Sequence, residues 1–308
     1  MLRLSSYPHA WNARQLRIAI AQLDHIGLGP YLSTKYRIRN APQRVIFEER
    51  LNAHLAELET RCRLKGPAQS GSFLDFLVFP EVFVPRTYLK RLQDLSESLG
   101  ATIVAGVDYP NDEERDNANE CVIIRPWKDP VFYRKITRSQ YDAMDETESR
   151  RMALQRGTEL FRFVNAKGRG FGVLICYDFS HFDLVWELNL RNRNTSLDLV
   201  VVVAHNPYGS LYRSCCIADS HRFYQYIALC NVSGYGGSGV FGPLRTRGEP
   251  QVLIDAGQGV ETIAITEVSL DDLHRARSAD DRKLVTGKFM RKSGLFQGRV
   301  DFRSPGTI

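Results

Sequence analysis

Strand-length apolar runs alternate with helix-length amphipathic stretches along most of this chain, and that alternation restricts it to an α/β architecture. Residues 17–23 (RIAIAQL) read as a first strand. The stretch 42–65 sets Val45, Ile46, Leu51, Leu55, Leu58 and Leu64 among charges, as in a helix with one buried stripe. FLDFLVF follows as a buried strand ending at Pro80 and Glu81. A second amphipathic helix over 86–99 is stopped by Gly100, and ATIVAGVDY is the next strand. CVIIRP and VFYRK flank the turn 127–130 as a hairpin. The runs ELFRFV, FGVLICYD, LDLVVVVA, YIALCNVS, VLID and VETIAITEV complete the strands, with helices expected over 182–192 and 212–225. The hairpin pieces indicate mixed sheets rather than purely parallel ones. Residues 16–277 read as one domain between an N-terminal extension (1–15) and a C-terminal arm (278–308), since no linker or composition break interrupts them.

A chain of 308 residues, 43% hydrophobic and 25% charged, can bury a large core without a metal or disulfide staple. Its six cysteines show no CxxC pair and no disulfide-scaffold spacing, which suits a reducing cytoplasm. The net charge of +6 is spread along the chain in short blocks, so a solvated basic surface is expected and nucleic acid is not an expected partner. The longest apolar run, 197–204, is strand-sized and interrupted by Asp198, so no membrane span is expected. Residues 1–15 lack the pattern of a signal peptide.

The most informative segment is GVLICYD, 172–178. Cys176 ends an apolar strand and precedes a polar turn and a helix. A nucleophile at such a turn is exposed at a sheet edge on rigid backbone, with amide N–H groups close by to favour a thiolate or an oxyanion. Spacing by itself also fits a buried, inert cysteine. A thiol needs a base, and amide cleavage needs a stabilised oxyanion. Glu81 follows the strand LVF, and Lys135 follows VFYR. Three reactive side chains at three strand ends can converge on one sheet edge, where α/β active sites usually lie.

Strand–FPE ending at Glu81, YRK ending at Lys135 and GVLICYD around Cys176 resemble the three signature blocks of the nitrilase, or carbon–nitrogen hydrolase, superfamily. RIAIAQL, ALQRGTELFRF, VVVAHNPYG and IALCNVSGYGGSGVFGP resemble further blocks in the same order, so the resemblance runs from about Leu16 to Arg277. It implies a four-layer α-β-β-α sandwich with mixed sheets and a Glu–Lys–Cys triad. Glu81 would be the general base, Lys135 and the backbone N–H of Tyr177 the oxyanion donors, and Cys176 the nucleophile that forms a thioester. That chemistry requires no metal or organic cofactor. It implies a small-molecule amide-type substrate and a homo-oligomer, a dimer or larger.

The chain departs from the family pattern in one stretch. Many relatives carry a second glutamate between the lysine and the RG-like block; here the stretch is TRSQYDAMDETESRRMALQRG, where Glu148 is the first choice and Glu146 and Asp142 are rivals. His205 and Asn206 stand where the family often has Trp or Ser, and either can line the pocket. Gly234, Gly236 and Gly239 satisfy G-x-G-x-x-G, but VFGPLRTRGEP follows, so no helix starts there to face a pyrophosphate. Adjacent Cys215 and Cys216 diverge on a helix and make a poor metal pair. A dyad of Cys176 with His181 or His205 is the fallback mechanism. Amidase-type hydrolysis leads the readings. An acyltransferase and a regulatory or defence module acting with a partner protein are the alternatives, and the tail with Phe289, Leu295 and Phe296 among its cations could dock on a second subunit.

Overall fold

The computed structural model describes residues 2–6, 14–24, 41–68, 71–109, 118–139, 155–165, 169–190, 197–245, 251–279 and 289–290. In chain order the strands are β1 (Leu2–Ser6), β2 (Gln15–Gln22), β3 (Phe76–Val78), β4 (Thr102–Val107), β5 (Glu120–Ile124), β6 (Val131–Arg134), β7 (Leu160–Val164), β8 (Gly170–Ile175), β9 (Leu199–Val203), β10 (Tyr226–Cys230), β11 (Ser238–Phe241), β12 (Val252–Ala256) and β13 (Thr262–Ser269). The helices are α1 (Ala41–Lys65), α2 (Leu89–Leu99), α3 (Tyr177–Ser180), α4 (Phe182–Leu190), α5 (Gly209–Arg222) and α6 (Leu270–Ser278).

The strands form a seven-stranded sheet, β1-β7-β8-β9-β10-β11-β12, and a six-stranded sheet, β13-β2-β3-β4-β5-β6. Both are mixed: β2/β3/β4 and β8/β9/β10 run parallel, while β4/β5/β6 and β10/β11/β12 run antiparallel. Period-2 alternation assigns each face its partner. In the six-stranded sheet Leu16, Ile18, Ile20, Phe76, Val78, Val104, Cys121 and Ile123 face the other sheet in one core cluster. Their sequence neighbours Ala19, Ala21, Leu77, Ile103, Ala105, Val122 and Ile124 turn to the opposite side and pack with α1 and α2 in a second cluster. The edge-to-face pair Phe76–Phe171, with centroids 5.0 Å apart, joins the two inner faces. Leu188 of α4 and Cys216 of α5 are buried with the seven-stranded sheet, so the layers run α-β-β-α.

The buried stripe of α1 is Phe47, Leu51, Leu55, Leu58 and Cys62, while Val45 (52% exposed), Ile46 (48%) and Leu64 (84%) face outward. Reading the stripe from the sequence took in those three and missed Phe47 and Cys62. A helix of this length fixes its phase by the longest set at i, i+4, i+7, and Phe47 and Cys62 extend that set. Gly100 caps α2 in the left-handed region, with φ 67°, as its stop signal requires. Leu2–Ser6, within the stretch read as an extension, pairs in parallel with β7. Strand β11 and helix α6 were not anticipated. Ser269 caps α6 by accepting from the Asp272 N–H, a local signal that the run of β13 hides. From the arm, Phe289 bridges to Leu244.

Candidate active site

Strand β8 ends at Ile175, and the chain turns at Cys176 with φ 42° and ψ −104°, a conformation that non-glycine residues rarely adopt. The turn is held on both sides: the Cys176 N–H donates to Val203 O at 2.8 Å, and its carbonyl accepts from the Phe179 N–H at 2.9 Å. The side chain is 4% exposed.

Glu81 lies just beyond β3, in the six-stranded sheet. Its backbone N–H reaches across to Ala204 O at 3.2 Å, beyond β9 of the other sheet. Its carboxylate is almost wholly buried and fully engaged. Oε1 accepts from Lys135 Nζ at 2.8 Å and from Asn119 Nδ2 at 2.8 Å, and Oε2 accepts from the His205 N–H at 2.9 Å. Lys135 follows β6, is 1% exposed, and is pinned through its own N–H to Asn119 O at 2.9 Å. Two glycines allow these turns to form. A Cβ at Gly106 would lie 2.4 Å from Glu81 Cα, and one at Gly157 would lie 2.1 Å from Arg134 O.

Asn206 approaches the sulfur from the far side. Its Oδ1 accepts the Tyr208 N–H at 2.8 Å, which leaves Nδ2 to face Cys176 Sγ at 3.6 Å. Asn231 holds this loop by accepting the Asn206 N–H and donating to Asn206 O, each at 2.9 Å.

Solved structures share this architecture. XC1258 from Xanthomonas campestris, a CN-hydrolase superfamily protein with an arsenic adduct in its active site, matches with TM-score 0.61 at 17% identity, over 90% of this chain and 99% of that one. Saccharomyces cerevisiae Nit3, of branch 10 of the nitrilase superfamily, matches with TM-score 0.59 at 17% identity, over 86% and 94%. A variant of the Nesterenkonia sp. AN1 amidase, with the acetamide moiety of fluoroacetamide added covalently at its active-site cysteine, matches with TM-score 0.52 at 18% identity, over 84% and 92%. The chain has the nitrilase-superfamily fold. No protein-family model and no curated protein matches the sequence.

In this nitrilase-fold site the thiol of Cys176 is pushed up to about 12, by burial first and then by the neighbouring Glu81 charge; Lys135 and the His205 N–H oppose the rise. The Cys176 sulfur therefore rests as a thiol at neutral pH, in contact with the Glu81 carboxylate. The Tyr212 hydroxyl, also in contact with the thiol, is raised by burial and is 2.8 Å from Ser180 Oγ. Burial lowers the His205 imidazole, so its ring is neutral at pH 7 and packs against Tyr235 at 5.6 Å.

The residues read from the sequence fall into three groups. Glu81, Lys135, Cys176, His205 and Asn206 converge, with His205 reaching Glu81 through its backbone rather than its ring. Tyr177 is 38% exposed and stacks edge-on with His181 at 5.0 Å, while His181 Nδ1 lies 3.8 Å from Asp183 Oδ1. Asp142, Glu146 and Glu148 lie outside the described residues. Asn119, Tyr212, Gly106 and Gly157 were missed. Only the RG-like block, which contains Gly157, carried any signal for them in the sequence.

The glycines of the G-x-G-x-x-G run serve packing. A Cβ at Gly236 would lie 2.7 Å from Gln258 Cα, and one at Gly239, within strand β11, would lie 2.3 Å from Ile254 O. Among the described residues no cluster of three or more His, Cys, Asp or Glu side chains could hold a metal ion, and no helix is long and apolar enough to cross a membrane.

Proposed function

We propose that this protein is a carbon–nitrogen hydrolase of the amidase type, cleaving a small non-peptide amide or carbamoyl bond through a thioester on Cys176. The observation that carries the reading is the buried constellation itself. A cysteine on a strained strand–helix turn contacts a carboxylate that also binds a buried lysine at 2.8 Å. A structural ion pair alone needs neither the turn nor the thiol beside it. The covalent adduct on the cysteine of the Nesterenkonia amidase variant is in keeping with the same chemistry.

The steps follow from the contacts. As Sγ attacks the carbonyl carbon, Glu81 takes the thiol proton, so no free thiolate forms in the buried site. The developing oxyanion is stabilised by the Lys135 ammonium and the Tyr177 N–H; one such donor is typically worth about 100-fold or more in rate. Glu81 returns its proton to the departing nitrogen as the C–N bond breaks. It then takes a proton from water as the water oxygen adds to the thioester carbon, and returns that proton to Sγ as the C–S bond breaks, releasing the acid and the thiol. The Asn119 side chain and the His205 N–H hold the carboxylate in one orientation throughout.

The test is release of ammonia or amine from a panel of primary amides, carbamoyl amines and nitriles, with Cys176→Ala and Lys135→Ala beside the wild type. Turnover lost in both variants supports the reading. Turnover that persists in Cys176→Ala sinks it.

A further inference from the structure

Asp178 sits two residues beyond the nucleophile and is completely buried. Its carboxylate accepts from the Tyr133 hydroxyl at 2.7 Å, the Ile136 N–H at 3.1 Å, the Thr137 N–H at 2.7 Å and the Thr137 hydroxyl at 2.7 Å. These donors lie on both sides of Lys135 in sequence. Strand β6 is the edge of its sheet, and its ladder with β5 ends at the pair Glu120–Arg134, so Lys135 stands just past the last rung. Its N–H to Asn119 O ties it back to its own sheet. Asp178 ties the same segment to the elbow after β8, which belongs to the other sheet.

We propose that Asp178 is a positioning residue, a buried staple between the two sheets that sets the Lys135 ammonium against the Cys176 sulfur. The inference rests on the functional reading above and adds to it the element that keeps two of its groups in register. The chemistry of the contacts suits the role. A carboxylate is an acceptor on both oxygens, and every group it meets here is an N–H or O–H donor. An amide at this position keeps one oxygen for the Ile136 and Thr137 N–H groups and can donate to the Tyr133 oxygen, whose hydroxyl can rotate. Alanine leaves all of these donors buried without an acceptor.

The experiment reads the thiol directly, so it does not depend on knowing the substrate. Alkylation of Cys176 by iodoacetamide is followed by peptide mapping between about pH 7 and pH 9, in the wild type, Lys135→Met, Asp178→Ala, Asp178→Asn and the Lys135→Met/Asp178→Ala double variant. The groups facing this thiol are Glu81, Lys135, the His205 backbone, the Asn206 amide and Tyr212, and among the charged side chains Lys135 is the one that favours the thiolate. Displacing the ammonium therefore slows alkylation, by about tenfold for one unit of lost electrostatic help. Asp178→Ala is expected to match Lys135→Met, the double variant to go no lower, and Asp178→Asn to recover most of the rate. On a hydrolysed amide, Asp178→Ala is expected to lower kcat at least about tenfold with KM nearly unchanged. A wild-type rate in Asp178→Ala, when Lys135→Met is slowed, overturns the inference and leaves the functional reading standing. A wild-type rate in Lys135→Met overturns both. If Asp178→Ala does not fold, Thr137→Val removes one donor and keeps the carboxylate: slower alkylation then supports the staple, and an unchanged rate overturns it.

Discussion

Gly106→Ala adds one methyl group to a strand and touches no reacting atom, yet it is expected to disable the site. That methyl would stand 2.4 Å from Glu81 Cα, 2.5 Å from Pro80 O and 2.5 Å from Val82 N. Carbon contacts are relaxed at roughly 3.5–4 Å, so the backbone around Glu81 must withdraw by about 1 Å. Withdrawal strains the bonds that seat this turn: Gly106 N–H to Pro80 O at 3.1 Å, Phe83 N–H to Gly106 O at 3.0 Å and Val84 N–H to Gly106 O at 2.9 Å. Overpacking of this kind costs about 1–3 kcal/mol, which in a chain of this size is a few degrees in Tm. Catalysis suffers more, because a displacement of about 1 Å at a catalytic group lowers rates by roughly 100-fold. The paired assays are the urea midpoint and the rate of amide hydrolysis, with Cys176 alkylation as a substrate-independent check. A variant with wild-type kcat and a stability within about 0.5 kcal/mol of wild type would refute the argument that this close approach seats Glu81, the proposed general base.

Other outcomes follow from the same geometry. Burial lifts the Cys176 thiol from 9.0 to about 12, and lifts Cys121, Cys216 and Cys230 as well. The folded protein keeps protons that the unfolded chain releases above about 9.0, so the urea midpoint is expected to hold below that pH and fall towards 12, less steeply in Cys176→Ala; an alkaline rise would contradict this. Arg277 binds the fully buried Asp198 at 2.5 Å and the carbonyls of Leu197 and Tyr224, so Arg277→Met is expected to cost about 3–5 kcal/mol by urea denaturation. The activity per folded molecule should be unchanged in that variant. Asn206→Ala, which removes the Nδ2 donor 3.6 Å from the sulfur, is expected to slow alkylation about tenfold. A homo-oligomer is proposed for the working protein, and light scattering at a single multiple of 35.1 kDa, that of the monomer, would count against it.

The strands and the convergence of Cys176, Glu81 and Lys135 were legible because each leaves a local mark. Alternation along Leu16–Ala21 and Phe76–Val78 assigns two faces, and Cys176, Glu81 and Lys135 each follow directly on a strand. The supporting groups leave no such mark. Asn119 reads as the polar end of a charged loop, and only the pairing of β5 with β6 brings it beside both Lys135 and Glu81. Asp178 reads as one more charge after a strand, and its donors lie about forty residues earlier in the chain, on the other sheet. Gly106 looks like any strand glycine until the turn at Glu81 is laid across it. The exposure of Val45 and Ile46 shows a related limit: apolar character at the start of a helix does not say which residues face the sheet.

The central claim is that Cys176 carries the acyl group during turnover. Rapid acid quenching of the enzyme with a hydrolysed amide, followed by intact-mass measurement and peptide mapping, tests it most directly. The account predicts an adduct of the acyl mass on the Cys176 peptide, scarcer in Glu81→Gln, where the carboxylate that takes the thiol proton is gone, and absent from Cys176→Ala. Steady release of ammonia with no adduct on Cys176, and with Cys176→Ala still active, would contradict the account.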